Sequence, residues 1–345
     1  MRAFRLTGWG APPVLDEVAE PVPGSQGVVV RVAAAGLCHS DLHLLDARPG
    51  DLPIRPPFTL GHEGAGWVVA AGEDAAGPRV GEAVAIHGPW GCGGCDRCAA
   101  DRDNYCRERA ALASMGMGLG QDGAMAELVL VPSARHLVPL GDLDPVQAAP
   151  LTDAALTPYH AIAGCRHRLT AESVAVVIGI GGLGHLAVQL LRALTGCQVI
   201  AVDRREAALA AGARAGAHLT TAATGDTAQV VRRATAGQGA DLVLDFVGSD
   251  QSLALAVAVL ATDADLVVVG SGGGHLPTHK SGLPQGTRLS LPFWGTRDEL
   301  ADVVDLARRD LLHVETERFG LADAAAAIAA LRSGRLTGRA VLVPD

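Results

Sequence analysis

Aromatic residues make up only 3% of the chain, so few large rings are available to wall a binding pocket. Positive charge is also short: 28 Lys and Arg stand against 37 Asp and Glu, for a net charge of −9. That balance argues against nucleic acid or an anionic membrane as a partner. No apolar stretch reaches the roughly 20 residues that a bilayer span requires. The opening Met1-Arg2-Ala3-Phe4-Arg5-Leu6 lacks the basic region and apolar run of a secretory leader. Reduced thiols then fit a cytoplasmic address. No fixed-period repeat is visible, which excludes a solenoid.

What is present points to two domains. The chain has 345 residues and is 49% hydrophobic, enough for a large core. Its texture changes near residue 150. Before that point, stretches such as 28–35, 66–71 and 83–87 are apolar, rich in β-branched residues and bounded by Gly or Pro, which predicts short strands. From Ser173 onward, strand-like runs (174–178, 199–202, 242–245, 266–269) alternate with helix-like ones (183–194, 207–215, 252–260). That alternation predicts βαβ units on a parallel sheet. After about residue 290 come a helix (297–309), a strand, a second helix (322–333) and a final strand (340–343). The expected fold class is α/β. The expected division is 1–152, carrying a lobe at about 88–110; then 153–290; then 291–345, which completes the first domain.

The segment Gly179-Ile180-Gly181-Gly182-Leu183-Gly184 follows the strand at 174–178 and opens a helix. Gly179 permits a tight turn, Gly181 lets the backbone approach a pyrophosphate, and Gly184 lets helix and strand pack closely. The helix N-terminus then faces the anion. Asp203 closes the next strand, nineteen residues after Gly184. A carboxylate there accepts hydrogen bonds from a ribose and repels a 2′-phosphate, which favours NAD over NADP. Arg204 and Arg205 pull the other way, because an arginine accommodates that phosphate.

Four of the seven cysteines fall within fifteen residues: Cys92, Cys95, Cys98 and Cys106, in the spacing C-x2-C-x2-C-x7-C. Four thiolates so close in sequence surround one tetrahedral Zn2+ with no open position, which is a structural site. Cys38 and His62, in Cys38-His39-Ser40-Asp41 and Gly61-His62-Glu63, are a thiolate and an imidazole suited to a second, open zinc site. Asp153 is the candidate third ligand. Glu63 competes for that position, although neighbouring side chains on a strand point to opposite faces, which ranks it behind the ligands. Cys165 and Cys197 read as buried small hydrophobes.

Together these residues resemble the zinc-dependent medium-chain alcohol dehydrogenases, above all the bacterial NAD-dependent secondary alcohol dehydrogenases. The likeness rests on the order C-x-S-D, GHE, four-cysteine lobe and GxGGxG, and spans nearly the whole chain. The resemblance implies a GroES-like β-rich catalytic domain built from both chain ends, with a Rossmann NAD-binding domain between them. It implies one catalytic and one structural Zn2+, NAD, a small alcohol or ketone as substrate, and a homodimer or homotetramer joined through the Rossmann sheets. By the same resemblance Ser40 is a proton-relay hydroxyl and His43 an outer histidine that passes the proton toward solvent. Asp41 orients His62, and Glu63 serves as an alternative ligand when water leaves. Thr157 flanks the nicotinamide, and Arg339 pairs with the pyrophosphate. Leu119 and Trp294 resemble pocket-wall residues. One departure stands out: His43 and Ile54 occupy a stretch where relatives carry bulky aromatics, which predicts a roomier or more polar pocket. The expected reaction interconverts secondary alcohols and ketones. A polyol, diol or amino-alcohol dehydrogenase of the same fold is the second reading, and a zinc- and dinucleotide-binding sensor without turnover is the third. The complete ligand set plus relay disfavours the sensor.

Overall fold

The structure is a computed structural model describing residues 1–336 and 338–344. The chain divides into two compact units, Met1–Leu156 with Trp294–Asp345, and Thr157–Phe293. The boundaries fall after 156 and 293, rather than after 152 and 290. Asp153 therefore belongs to the first unit and Thr157 opens the second.

The first unit is β-rich. Its central strand, Val28–Gly36, is a buried run of β-branched and small residues broken by exposed Arg31. It pairs antiparallel with Glu63–Ala71, with Leu128–Val131 and with Arg339–Val343. Apart from Arg31 its residues are buried on both faces of the sheet, which matches its nearly continuous apolar sequence. Arg339–Val343 pairs in parallel with Thr316–Gly320, so a late segment is built into the middle of an early sheet. A separate three-stranded sheet joins Arg2–Leu6 to Val14–Glu17 and Phe58–Thr59.

The second unit is a six-stranded sheet in which every pair is parallel. Its order is Leu219–Ala222, Gln198–Asp203, Val174–Ile178, Ala240–Asp245, Leu260–Val268 and Arg288–Ser290. Helices Gly184–Leu194, Glu206–Arg214, Thr227–Ala234 and Asp250–Val259 link successive strands. The strand order reverses between Val174–Ile178 and Ala240–Asp245, and ligands of such sheets bind at that switch point, beyond the carboxyl ends of the strands. Val176, Ile178, Val202, Val243 and Leu266 form the buried core beneath it. Among the described residues, no helix is long and apolar enough to cross a membrane.

Candidate active site and metal centres

Cys38 ends the central strand's approach and caps helix His39–Asp46. Its backbone N–H donates to Asp41 Oδ2 at 2.8 Å, which fixes Asp41 beneath it. The other Asp41 oxygen, Oδ1, lies 3.4 Å from His62 Nδ1. On the far side, His62 Nε2 lies 3.7 Å from Asp153 Oδ2, and the same oxygen is 3.7 Å from Cys38 Sγ. Zn–ligand bonds of about 2.0–2.3 Å put neighbouring ligand atoms roughly 3.3–3.8 Å apart in a tetrahedron. The observed spacings fall in that range. Among the described residues, neither ring nitrogen of His62 has a hydrogen-bond partner of proper geometry, although the residue is buried. A buried imidazole without hydrogen bonds is costly unless something else occupies its lone pair. Burial works against charge on His62, yet the Asp41 carboxylate and the contacts to Asp153 and Cys38 outweigh it and raise the imidazole well above its ordinary value. Surroundings that draw in a proton so strongly suit a cation, and the donor set fits zinc.

Glu63 corrects one expectation. His62 precedes the strand that Glu63 begins, and Gly61 turns the chain there with φ 97°, so strand alternation does not separate the two side chains. Donor atoms of Cys38, His62, Glu63 and Asp153 all lie within 4.8 Å of one another. Gly36 leaves room for this: a Cβ on it would sit 1.7 Å from Glu63 Oε2. Burial pushes the Glu63 carboxyl up to about 7, against the opposing pull of Arg339.

Arg339 has a partner that no local pattern in the sequence announces. Its guanidinium is buried rather than exposed, and its fork is taken by Glu63: Nε donates to Oε2 at 3.0 Å and Nη2 to Oε1. Nη2 also lies 3.5 Å from Asp153 Oδ2. The Nε–Nη2 edge of the guanidinium is thus spent on a buried carboxylate. Ser40 is half-buried with Oγ 3.6 Å from Cys38 Sγ, whereas His43 is exposed on the same helix. Ile54 and Leu119 are buried.

The four-cysteine lobe is a second donor set in the same unit. Its sulfurs lie 3.9 Å (Cys92–Cys98), 3.5 Å (Cys95–Cys98) and 4.0 Å (Cys95–Cys106) apart. Four Zn–S bonds of about 2.3 Å demand roughly 3.8 Å between sulfurs. Backbone N–H groups of Cys98 and Arg107 pull the Cys95 thiol down to about 6, toward the thiolate that binds metal. The lobe is footed on Asp103, which accepts from Gly91 N at 3.1 Å and takes both arms of the Arg135 guanidinium.

In the second unit, Gly179 has φ 88°, a left-handed turn that favours glycine. A Cβ on Gly184 would lie 1.9 Å from the Gly179 carbonyl oxygen, while one on Gly181 would meet nothing within 4 Å. The first glycine thus closes the turn against its helix, and the second leaves a cradle open for an anion at the start of Gly184–Leu194. Gly182 and Leu183 complete the turn, with Leu183 capping the helix. Asp203 Oδ2 accepts from Ile180 N at 2.8 Å and Oδ1 from Arg205 N at 2.9 Å. Arg205 Nε also reaches Oδ1, at 3.5 Å, so of about four acceptor positions on the carboxylate one remains for a ribose hydroxyl. Arg204 is exposed, and Thr157 is buried.

A mixed thiolate–imidazole–carboxylate set with a closed zinc lobe, and a dinucleotide cradle on a doubly wound sheet, define a zinc- and dinucleotide-dependent oxidoreductase. Residues 24–142 match the family model of the alcohol dehydrogenase GroES-like domain, and residues 182–309 match that of zinc-binding dehydrogenases. The chain is 36% identical to an NAD-dependent alcohol dehydrogenase of Sulfurisphaera tokodaii, over 100% of both sequences. Its fold matches the crystal structure of the alcohol dehydrogenase from Aeropyrum pernix with a TM-score of 0.91 and 32% identity, covering 100% of each chain. It also matches acetophenone reductase from Geotrichum candidum in complex with NAD, with a TM-score of 0.87, 31% identity, and 99% and 96% of the two chains covered. The chain belongs to the zinc-dependent medium-chain alcohol dehydrogenases. It is an NAD-dependent enzyme with Zn2+ as its metal, and its fold joins a GroES-like domain to a Rossmann domain.

Proposed function

We propose that this enzyme interconverts secondary alcohols and ketones, with Cys38, His62 and Asp153 as the catalytic zinc ligands. The observation that carries this reading is the convergence of those three donors at tetrahedral spacing, one of them an imidazole with no hydrogen-bond partner among the described residues. When bound, zinc supplies Lewis acidity to the substrate oxygen, and NAD supplies the hydride acceptor. Arg339 keeps Glu63 engaged, which leaves the third ligand position to Asp153. Asp41 fixes the His62 ring from behind. Ser40 Oγ accepts the alcohol proton, and His43, exposed on the same helix, hands it to water. Asp203 orients the adenosine ribose, and the turn from Gly179 to Gly184 holds the pyrophosphate. Thr157 serves the nicotinamide side. Cys92, Cys95, Cys98 and Cys106 hold the structural zinc.

The zinc chemistry belongs to the unit made from both chain ends, and NAD to the unit inserted between them. The few aromatics and the absence of bulky rings near the His43–Ile54 stretch favour bulky ketones over ethanol, a preference consistent with likeness to an acetophenone reductase. A homodimer or homotetramer joined through the Rossmann sheets is supported by the open edge strand Arg288–Ser290, where Leu289 and the neighbouring Leu291 are exposed. A cytoplasmic location fits the reduced cysteines.

The test is NADH absorbance with NAD or NADP and a panel of primary alcohols, secondary alcohols, diols and threonine, with and without a zinc chelator. NADH formation from secondary alcohols, abolished by chelation, is expected. Strict preference for ethanol would overturn the pocket reading. No turnover of any panel member by zinc-loaded protein would overturn the activity.

A further inference from the structure

Trp294 is a bulky residue held at φ 54°, in the left-handed region. Outside glycine such a conformation is strained and persists only where surrounding contacts over-determine it. Two of those contacts lead to the proposed zinc ligands. The indole Nε1–H donates to the Thr152 carbonyl at 2.9 Å, on the peptide that leads into Asp153. The indole also stands nearly perpendicular to the His62 ring, with centroids 5.7 Å apart and planes at 87°. One side chain therefore braces two ligands that come from different parts of the chain.

The brace has its own support. Gly88 provides the floor, since a Cβ there would lie 2.3 Å from Cζ2 of the indole. The next peptide is tied down by His87, whose Nε2 bonds the Gly295 carbonyl at 2.9 Å. A carbonyl only accepts, so Nε2 carries the proton and Nδ1 is left as a bare acceptor. Nδ1 is buried with no hydrogen-bond partner among the described residues. Burial pushes the His87 imidazole down to about 4, so the ring stays neutral near neutral pH. The ring of this fully buried histidine thus makes its one hydrogen bond, among the described residues, to the peptide after Trp294.

We propose that Trp294 is a positioning residue for His62 and Asp153, and that His87 and Gly88 form the clamp that sets it. The inference rests on the assignment of those two residues as zinc ligands. Groups that orient metal ligands typically contribute 10–100-fold in metal affinity.

The experiment measures zinc per chain after competition with a chelator, then the visible absorption of the cobalt-substituted protein. The four-cysteine zinc serves as an internal control. Trp294→Leu and His87→Phe should weaken retention of one metal by about 10–100-fold and change the cobalt bands, while the lobe keeps its metal. His87→Gln, whose amide retains an N–H near the same place, should restore retention. Should Trp294→Leu fail to fold, the His87→Phe and His87→Gln pair decides, because both fill the site. Folded variants that hold both metals with wild-type affinity and spectrum would overturn the proposal and leave the activity standing. A wild-type chain that binds metal at the lobe alone would overturn the ligand assignment as well.

Discussion

The two donor sets of the first unit offer four groups each but are built in opposite ways. The lobe draws its sulfurs from one short stretch, and Cys92 remains exposed. The other set draws Cys38, His62, Glu63 and Asp153 from three separate places and sits buried. Four identical thiolates leave no position for a substrate. A mixed set with one ligand drawn aside by Arg339 keeps such a position. A metal in the lobe therefore closes a loop, whereas a metal at Cys38 requires the whole unit to be folded before its ligands meet.

The largest expected break in this comparison is Cys38→Ser. Losing the Lewis-acid site forfeits several kcal/mol of transition-state stabilisation, so kcat/KM should fall about 10³-fold or more. NAD binding, followed by fluorescence titration, should persist, since Cys38 lies outside the second unit. Loss of NAD binding would mean that the site is misplaced.

Cys95→Ser should act the other way round. Zinc content falls by one per chain and Tm drops by about 5–10 °C, given roughly 2–4 °C per kcal/mol for a domain of this size. Turnover of the chain that remains folded stays near wild type. A variant with unchanged Tm and zinc but no turnover would erase the distinction between the two sets.

Glu63→Gln sharpens the account of Arg339. Without the carboxylate, the guanidinium is left to Asp153 Oδ2, 3.5 Å away, and competes with the metal for it. Affinity of the Cys38 site for zinc should fall about 10-fold, with the lobe unaffected. Equal loss from both sites in a chelator titration would contradict this.

Acid tests the footing of the lobe rather than either donor set. His136 stacks on His87 and Trp90, at 6.1 and 6.2 Å between centroids. Burial pushes His87 down to about 4 and His136 to about 3, with Arg135 adding to the latter. The unfolded chain takes up these protons near pH 6.5 and the folded chain does not. Stability is thus full above pH 6.5 and declines as pH falls toward 4, by an amount on the order of a few kcal/mol. Calorimetric Tm should drop between pH 7 and 5, with a shallower slope in His136→Phe. Parallel slopes would show that the pair does not titrate this way.

The parts legible in the sequence are those set by local spacing. The C-x2-C-x2-C-x7-C lobe and the turn from Gly179 to Gly184 declare their chemistry within a few residues. The strands at 28–36 and 174–178 declare themselves by buried β-branched runs. Strand Leu219–Ala222 and helix Thr227–Ala234 escaped because neither is a continuous apolar run: the strand is partly exposed and the helix is rich in polar groups. The partner of Arg339 lies 276 residues away, and no local pattern announces it. The contact of Trp294 with His62 depends on a backbone conformation that propensity gives to glycine rather than tryptophan. The opposite-face expectation for His62 and Glu63 failed because Gly61 turns the chain one residue before the strand begins.

The pairing of Arg339 with Glu63 also fixes an order of events at the ribosome. Glu63 is synthesised early, yet the cation that balances it arrives 276 residues later, on a strand that must also slot beside Val28–Gly36. Until then the nascent chain carries a carboxylate with no counter-ion for its burial, and its first sheet has an open flank. The inserted Rossmann unit, being contiguous, has no such wait. The sheet of the catalytic half is thus closed only when Arg339–Val343 takes its place beside Val28–Gly36, and the buried charge of Glu63 is balanced by the same event.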